Sequence, residues 1–150
     1  LVHKEYHEFI SKSPEDTVNL GLKLGACLKG GEIILLSGDM GAGKTLLTKG
    51  IASALGIDPA TPVVSPSFTL INVYKAMLDI VHVDLYRLSP DSVWDLGLED
   101  FMDKEHIIVV EWGDVARGFF PPPVIDVKIV YVGEQIRKVF IKGLELTGIS

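Results

Sequence analysis

The stretch Gly38-Asp39-Met40-Gly41-Ala42-Gly43-Lys44-Thr45 limits what this 150-residue chain can fold into more than any other. It fits G-x-x-x-x-G-K-[ST], the spacing of a loop that wraps nucleotide phosphates. Glycines let such a backbone curl with several N–H groups pointing inward, at φ angles that other residues resist. Lys44 can then bring its charge near the β- and γ-phosphates, and the Thr45 hydroxyl can ligate Mg²⁺. Leu46 completes the nucleotide-contacting stretch. The helix that starts there adds its positive dipole end, about 0.3–1 kcal/mol per exposed anionic partner.

Four specified positions can coincide by accident in a chain with 15 glycines, so the context decides. Upstream, Glu32-Ile33-Ile34-Leu35-Leu36 is a short apolar run that reads as a buried strand. Downstream, Leu47, Ile51, Ala54 and Leu55 fall on one helical face, and Gly56 supplies the stop. Strand, loop and helix follow in the order the motif needs.

At 47% hydrophobic residues the chain can bury a sizeable core. No repeat, low-complexity tract or linker divides it, so residues 1–150 are expected to form a single domain. The net charge of −6 disfavours direct, unaided binding of RNA or DNA. Cys27 is the only cysteine, which excludes an internal disulfide and fits a reducing compartment. Apolar runs are far too short for a membrane span, and the cytoplasm is the expected location.

Along the chain, a short strand near residues 6–10 should join a sheet edge. His3 and His7 are four apart, but no further ligand follows at a useful spacing, and they read as surface residues. Ser13-Pro14-Glu15-Asp16 opens a helix, with Ser as N-cap and Pro at the first position. Its apolar face is Thr17, Leu20, Leu24, Cys27 and Leu28, and Gly30-Gly31 ends it. On that face Cys27 reads as a buried structural thiol.

Pro59, Pro62 and Pro66 exclude a continuous helix after the second apolar segment. There Ser65-Pro66-Ser67-Phe68-Thr69 is either a connecting loop or a switch that brings a hydroxyl to the metal or γ-phosphate. Residues 69–75 and 79–85 predict two strands joined by a short turn. The second ends on Asp84, at the strand end where open α/β sheets bind ligands. His82 shares a strand face with Asp84 and reads first as a core histidine, with a direct role as the alternative. Arg87 could meet a phosphate, a partner or a nearby acid. Ser89-Pro90-Asp91 starts a short helix in which Trp94, among apolar neighbours, reads first as core, with ligand contact as the alternative. Residues 106–112 form a second apolar strand, suited to a central parallel position, ending on Glu111. Glu111 therefore rivals Asp84 for coordinating the metal, or polarises the attacking water. Trp112 could stack on the base or a partner, or equally pack in the core. Residues 124–132 and 137–142 predict a hairpin around Gly133-Glu134.

Four blocks together carry a resemblance: residues 38–45, Ser65-Pro66-Ser67-Phe68-Thr69-Leu70, His82-Val83-Asp84-Leu85-Tyr86-Arg87, and Val110-Glu111-Trp112. In order and in size the chain resembles the TsaE (YjeE) family, small ATPases of bacterial tRNA threonylcarbamoyladenosine biosynthesis. Ser67 stands where the family's S-P-T-[FY]-T-L has Thr, and it keeps the hydroxyl. The resemblance implies an ATPase acting with TsaB and TsaD, with tRNA engaged mainly through those partners. It also implies that Thr45, Asp84, Glu111 and Trp112 serve nucleotide or metal binding and hydrolysis.

Three other readings compete with this one. A regulatory GTPase would carry N/T-K-x-D, which does not occur here. A small-molecule kinase would clamp phosphates with several basic residues, and the only arginines are Arg87, Arg117 and Arg137. A nucleotide-binding module that does not hydrolyse stays open. The fold expected is a three-layer α/β/α P-loop NTPase, its central sheet mostly parallel, with antiparallel C-terminal strands. The cofactors expected are ATP and Mg²⁺, with Lys44, Asp84 and Glu111 as catalytic residues. Thr45, Asp84 and Glu111 are the candidate metal ligands.

Overall fold

Apolar runs become central strands because both faces of the sheet are covered. The computed structural model, which describes residues 6–39, 43–66, 69–112 and 117–143, contains seven strands and two α-helices in those residues. In chain order they are β1 (His7–Ser11), α1 (Pro14–Ala26), β2 (Ile33–Gly38), α2 (Lys44–Ala54), β3 (Ile71–Tyr74), β4 (Asp79–Asp84), β5 (His106–Glu111), β6 (Val124–Gly133) and β7 (Ile136–Lys142). Two 3₁₀ turns, Pro90–Leu96 and Leu98–Phe101, lie between β4 and β5.

One sheet runs β1-β7-β6-β2-β5-β4-β3. Its middle, β6-β2-β5-β4, is parallel. Strand β3 closes one edge antiparallel to β4, and β7 and β1 close the other antiparallel to their neighbours. The three layers expected from the sequence are present, but the two outer ones differ in kind. On one face α1 and α2 pack together over Ile34, Leu36, Ile107 and Val109. On the other face the cover over Val81, Val83, Ile108 and Val110 includes Val93 and Leu98 of the 3₁₀ turns.

Local chemistry sets α1. Ser13 Oγ accepts from the Asp16 N–H at 3.1 Å, and Pro14 occupies the first turn. Asp16 Oδ2 accepts in turn from the Lys12 N–H at 2.9 Å. The helix stops at Ala26, so Cys27 is its C-cap and is partly exposed, not buried as its place in the apolar periodicity suggests. Leu47 and Ile51 of α2 are fully buried, each stabilising by about 1.5–3 kcal/mol.

The crossing of α1 and α2 depends on two glycines that apolar periodicity does not reveal. A Cβ on Gly21 would lie 2.3 Å from the Leu47 carbonyl oxygen, and one on Gly50 would lie 2.1 Å from that of Val18. The backbones touch there, which fixes α2 and with it the end of the glycine loop.

Trp94, expected in the core, is 62% exposed. A 3₁₀ helix repeats every three residues. Val93 and Leu96 therefore share the inward side, and the Trp94 ring stands outside, edge-on to Phe119 at 4.5 Å.

Candidate functional site

The parallel strands β2, β4 and β5 deliver three chemically distinct groups to one end of the sheet. Register places Leu36, Glu111 and Asp84 side by side across β2, β5 and β4. Two residues past Leu36 the chain leaves β2 at Gly38 and enters the glycine loop, of which Met40, Gly41 and Ala42 lie outside the described residues. It re-emerges at Gly43, whose φ of 110° is a left-handed conformation that favours glycine, and α2 begins at Lys44. Between these ends lies an open cleft of about 470 Å³, lined by Lys44, Thr45, Leu46, Asp84, Glu111 and Trp112 among others. Gly38 and Asp39 border a neighbouring depression of about 380 Å³, and Trp112 lines both.

Lys44 is 7% exposed. Its Nζ donates to the Gly38 carbonyl at 2.6 Å, makes a longer contact of 3.4 Å to that of Asp39, and lies 4.7 Å from the centre of the Trp112 ring. Among the described residues no carboxylate pairs with it. Among the described residues, carbonyl dipoles and an aromatic face compensate this nearly buried ammonium, which makes it a fit for an incoming anion.

The two acids are held differently. Asp84 Oδ1 accepts from the Tyr86 N–H at 2.9 Å, and Oδ2 accepts from Ser65 Oγ at 3.3 Å. Glu111 Oε2 lies 2.7 Å from His82 Nε2. Both acids are buried, in adjacent strands at paired positions. Among the described residues no group of three or more His, Cys, Asp and Glu converges. Magnesium keeps several waters and needs only one or two carboxylates beside phosphate oxygens. The Thr45 hydroxyl and these carboxylates are hard oxygen donors in the cleft lining.

Backbone strain gathers at the same place. Leu70 and Trp112 have φ of 72° and 63°, which costs a residue with a side chain about 1–2 kcal/mol each. Both line the cleft. Trp112 also packs against the second core cluster and lies 4.9 Å from the Tyr86 ring.

Of the other sequence candidates, Arg87 lines the cleft and Ser65 reaches Asp84. Thr69 instead bonds Asn72 at 3.0 Å, while Ser67 and Phe68 lie outside the described residues. His7 is an exposed residue of the edge strand, as read, and His3 lies outside the described residues. Sequence reasoning missed Tyr74, whose hydroxyl lies 3.5 Å from His82 Nδ1. The tight turn between β3 and β4 carried the signal, because it sets Tyr74 diagonally across from His82.

Comparison with known proteins follows the same outline. A family model described as "Threonylcarbamoyl adenosine biosynthesis protein TsaE" matches residues 11–139. The chain belongs to the TsaE family. It is 41% identical over 138 residues to the Nostoc tRNA threonylcarbamoyladenosine biosynthesis protein TsaE, covering 89% of this chain and 83% of that one. The Bacillus subtilis protein of the same name is 36% identical over 129 residues, covering 85% and 79%. The crystal structure of Bacillus YdiB superposes with a TM-score of 0.79 at 28% identity, covering 97% of this TsaE chain and 90% of that one. No described helix of this family member is long and apolar enough to cross a membrane.

Proposed function

We propose that this TsaE protein binds and hydrolyses ATP with Mg²⁺, as one ATPase domain, in support of TsaD- and TsaB-dependent threonylcarbamoyladenosine modification of tRNA. The observation that carries the reading is the cleft where Lys44 Nζ, without a carboxylate partner among the described residues, stands beside the register-paired Asp84 and Glu111.

Gly38, Asp39, Met40, Gly41, Ala42 and Gly43 cradle the phosphates through main-chain N–H groups, and Lys44 adds a point charge. Thr45 and Asp84 would hold the magnesium ion, directly or through water. When bound, that ion neutralises charge on the β- and γ-phosphates. Glu111 orients the nucleophilic water, its other oxygen being engaged by His82. Trp112 walls the nucleotide, and the cytoplasm is the expected site of action.

Calorimetry and turnover test this together. Lys44→Ala should abolish Mg·ATP heat. Glu111→Ala should keep binding within a few-fold yet lower turnover by roughly 10²–10⁴. Adding the TsaB–TsaD pair should raise wild-type turnover. No heat from Mg·ATP at any reasonable concentration would overturn the reading, and phosphorylation of a metabolite would replace it with a kinase.

A further inference from the structure

Behind Glu111 lies a buried polar chain. His82 is fully buried, with Nε2 at 2.7 Å from Glu111 Oε2. With Glu111 ionised and the imidazole neutral, Nε2 is the donor to the carboxylate and Nδ1 the acceptor. Nδ1 faces the Tyr74 hydroxyl across a long contact of 3.5 Å. That hydroxyl also lies 3.2 Å from the Val64 carbonyl oxygen and accepts from the Val64 N–H at 3.3 Å. It has one hydrogen for two acceptors, the Val64 carbonyl and the imidazole. The next residue, Ser65, donates to Asp84. Two consecutive residues of the proline-bounded segment 62–66 thus reach both carboxylates, one directly and one through Tyr74 and His82.

We infer that His82 and Tyr74 are positioning residues that hold Glu111 in its working orientation and make that orientation depend on segment 62–66. This rests on the hydrolytic role proposed above for Glu111. With the segment seated, Tyr74 divides its hydroxyl between Val64 and His82. With the segment displaced, the hydroxyl turns wholly to Nδ1 and stiffens the imidazole behind Glu111. The segment lies beside the cleft through Ser65, so a bound γ-phosphate or a docked partner that moves it reaches Glu111 through two side chains.

The test compares His82→Leu, His82→Gln and Tyr74→Phe, each alone and combined with Glu111→Gln, in the full chain. Single-turnover ATP hydrolysis and Mg·ATP affinity are both measured, with TsaB–TsaD present. His82→Leu should slow hydrolysis about 10–100-fold while affinity changes less than about 3-fold. His82→Gln, whose amide nitrogen reaches the place of Nε2, should recover most of the rate, and Tyr74→Phe should cost roughly 3–10-fold. None should slow the Glu111→Gln chain further, because residues acting as a unit are not additive. Should His82→Leu fail to fold because it strands a buried carboxylate, His82→Gln and Tyr74→Phe carry the same comparison. Additive losses, or affinity falling in step with rate, overturn the positioning role alone. A wild-type chain that binds Mg·ATP and never turns it over overturns the hydrolytic reading and the positioning role together.

Discussion

Trp112 is the residue on which the cleft's local physics converges. Its backbone sits at φ 63° and donates its main-chain N–H to the Leu36 carbonyl at 3.1 Å, while its ring faces Lys44 Nζ at 4.7 Å and Tyr86 at 4.9 Å. A cation on an indole face contributes roughly 0.5–2 kcal/mol, depending on desolvation. A triphosphate that draws Lys44 away from the ring would remove that contact. Tryptophan emission should therefore change on adding Mg·ATP. The chain has two tryptophans, and Trp94 belongs to the 3₁₀ turns outside the cleft lining. Trp94→Phe should keep the signal and Trp112→Phe should lose it; the reverse pattern would separate Trp112 from the nucleotide. Asp84 and Glu111 were legible as candidates because each ends an apolar strand, a position readable without knowing the strand's neighbour. The bond from His82 to Glu111 was not legible, since it needs β4 and β5 to be adjacent and in register. Nothing in a single sequence states that adjacency.

Between elements, the α1–α2 contact sets where the glycine loop ends. On helix propensity alone, Gly50→Ala should stabilise by about 1 kcal/mol. The added Cβ, however, would meet the Val18 carbonyl at 2.1 Å and Gly21 Cα at 2.8 Å. Backbone cannot give way as a side-chain tip can, so overpacking decides the sign. Net destabilisation of about 1–3 kcal/mol is expected, lowering Tm by roughly 3–10 °C. A raised Tm would mean that the helices cross elsewhere. The β3–β4 hairpin offers a pH-dependent counterpart. Asp79 accepts from the Ala76 N–H and from Lys75 Nζ, both at 3.1 Å, and these hold its carboxyl below its ordinary value, the backbone bond first. A depressed folded pKa stabilises above the unfolded pKa, near 4, and that contribution is lost as pH falls through the folded one. Asp79→Asn should thus be less stable than wild type at pH 7, with the gap closing below about pH 4 in urea melts. A gap independent of pH would exclude the charge as its cause. Most elements here were readable from apolar runs, caps and glycine stops. Trp94 was misread because its apolar neighbours suggested core while the 3₁₀ period turns Val93 and Leu96 inward in its place, and Cys27 because α1 stopped at the residue before it.

Taken as a whole molecule, the parallel strand ends gather the cleft at one end of the sheet, while the net charge of −6 acts on anything approaching from outside. The family name ties the chain to a tRNA modification, yet a polyanion gains its affinity from Lys and Arg that displace counterions. With Lys and Arg numbering 14 against 20 Asp and Glu, long-range electrostatics repel tRNA. Non-specific nucleic-acid binders reach Kd values of about 10⁻⁴–10⁻⁶ M at physiological salt. This chain alone should bind tRNA more weakly than that range in fluorescence anisotropy, with or without Mg·ATP. In the presence of TsaB and TsaD, labelled tRNA and this chain should enter one complex, since the partners would then supply the phosphate contacts. The salt dependence separates the cases. If the isolated chain bound tRNA at micromolar concentration, with affinity falling steeply as salt rises, a basic surface would have to exist despite the overall charge. The indirect role proposed for tRNA would then give way to direct recognition by this subunit.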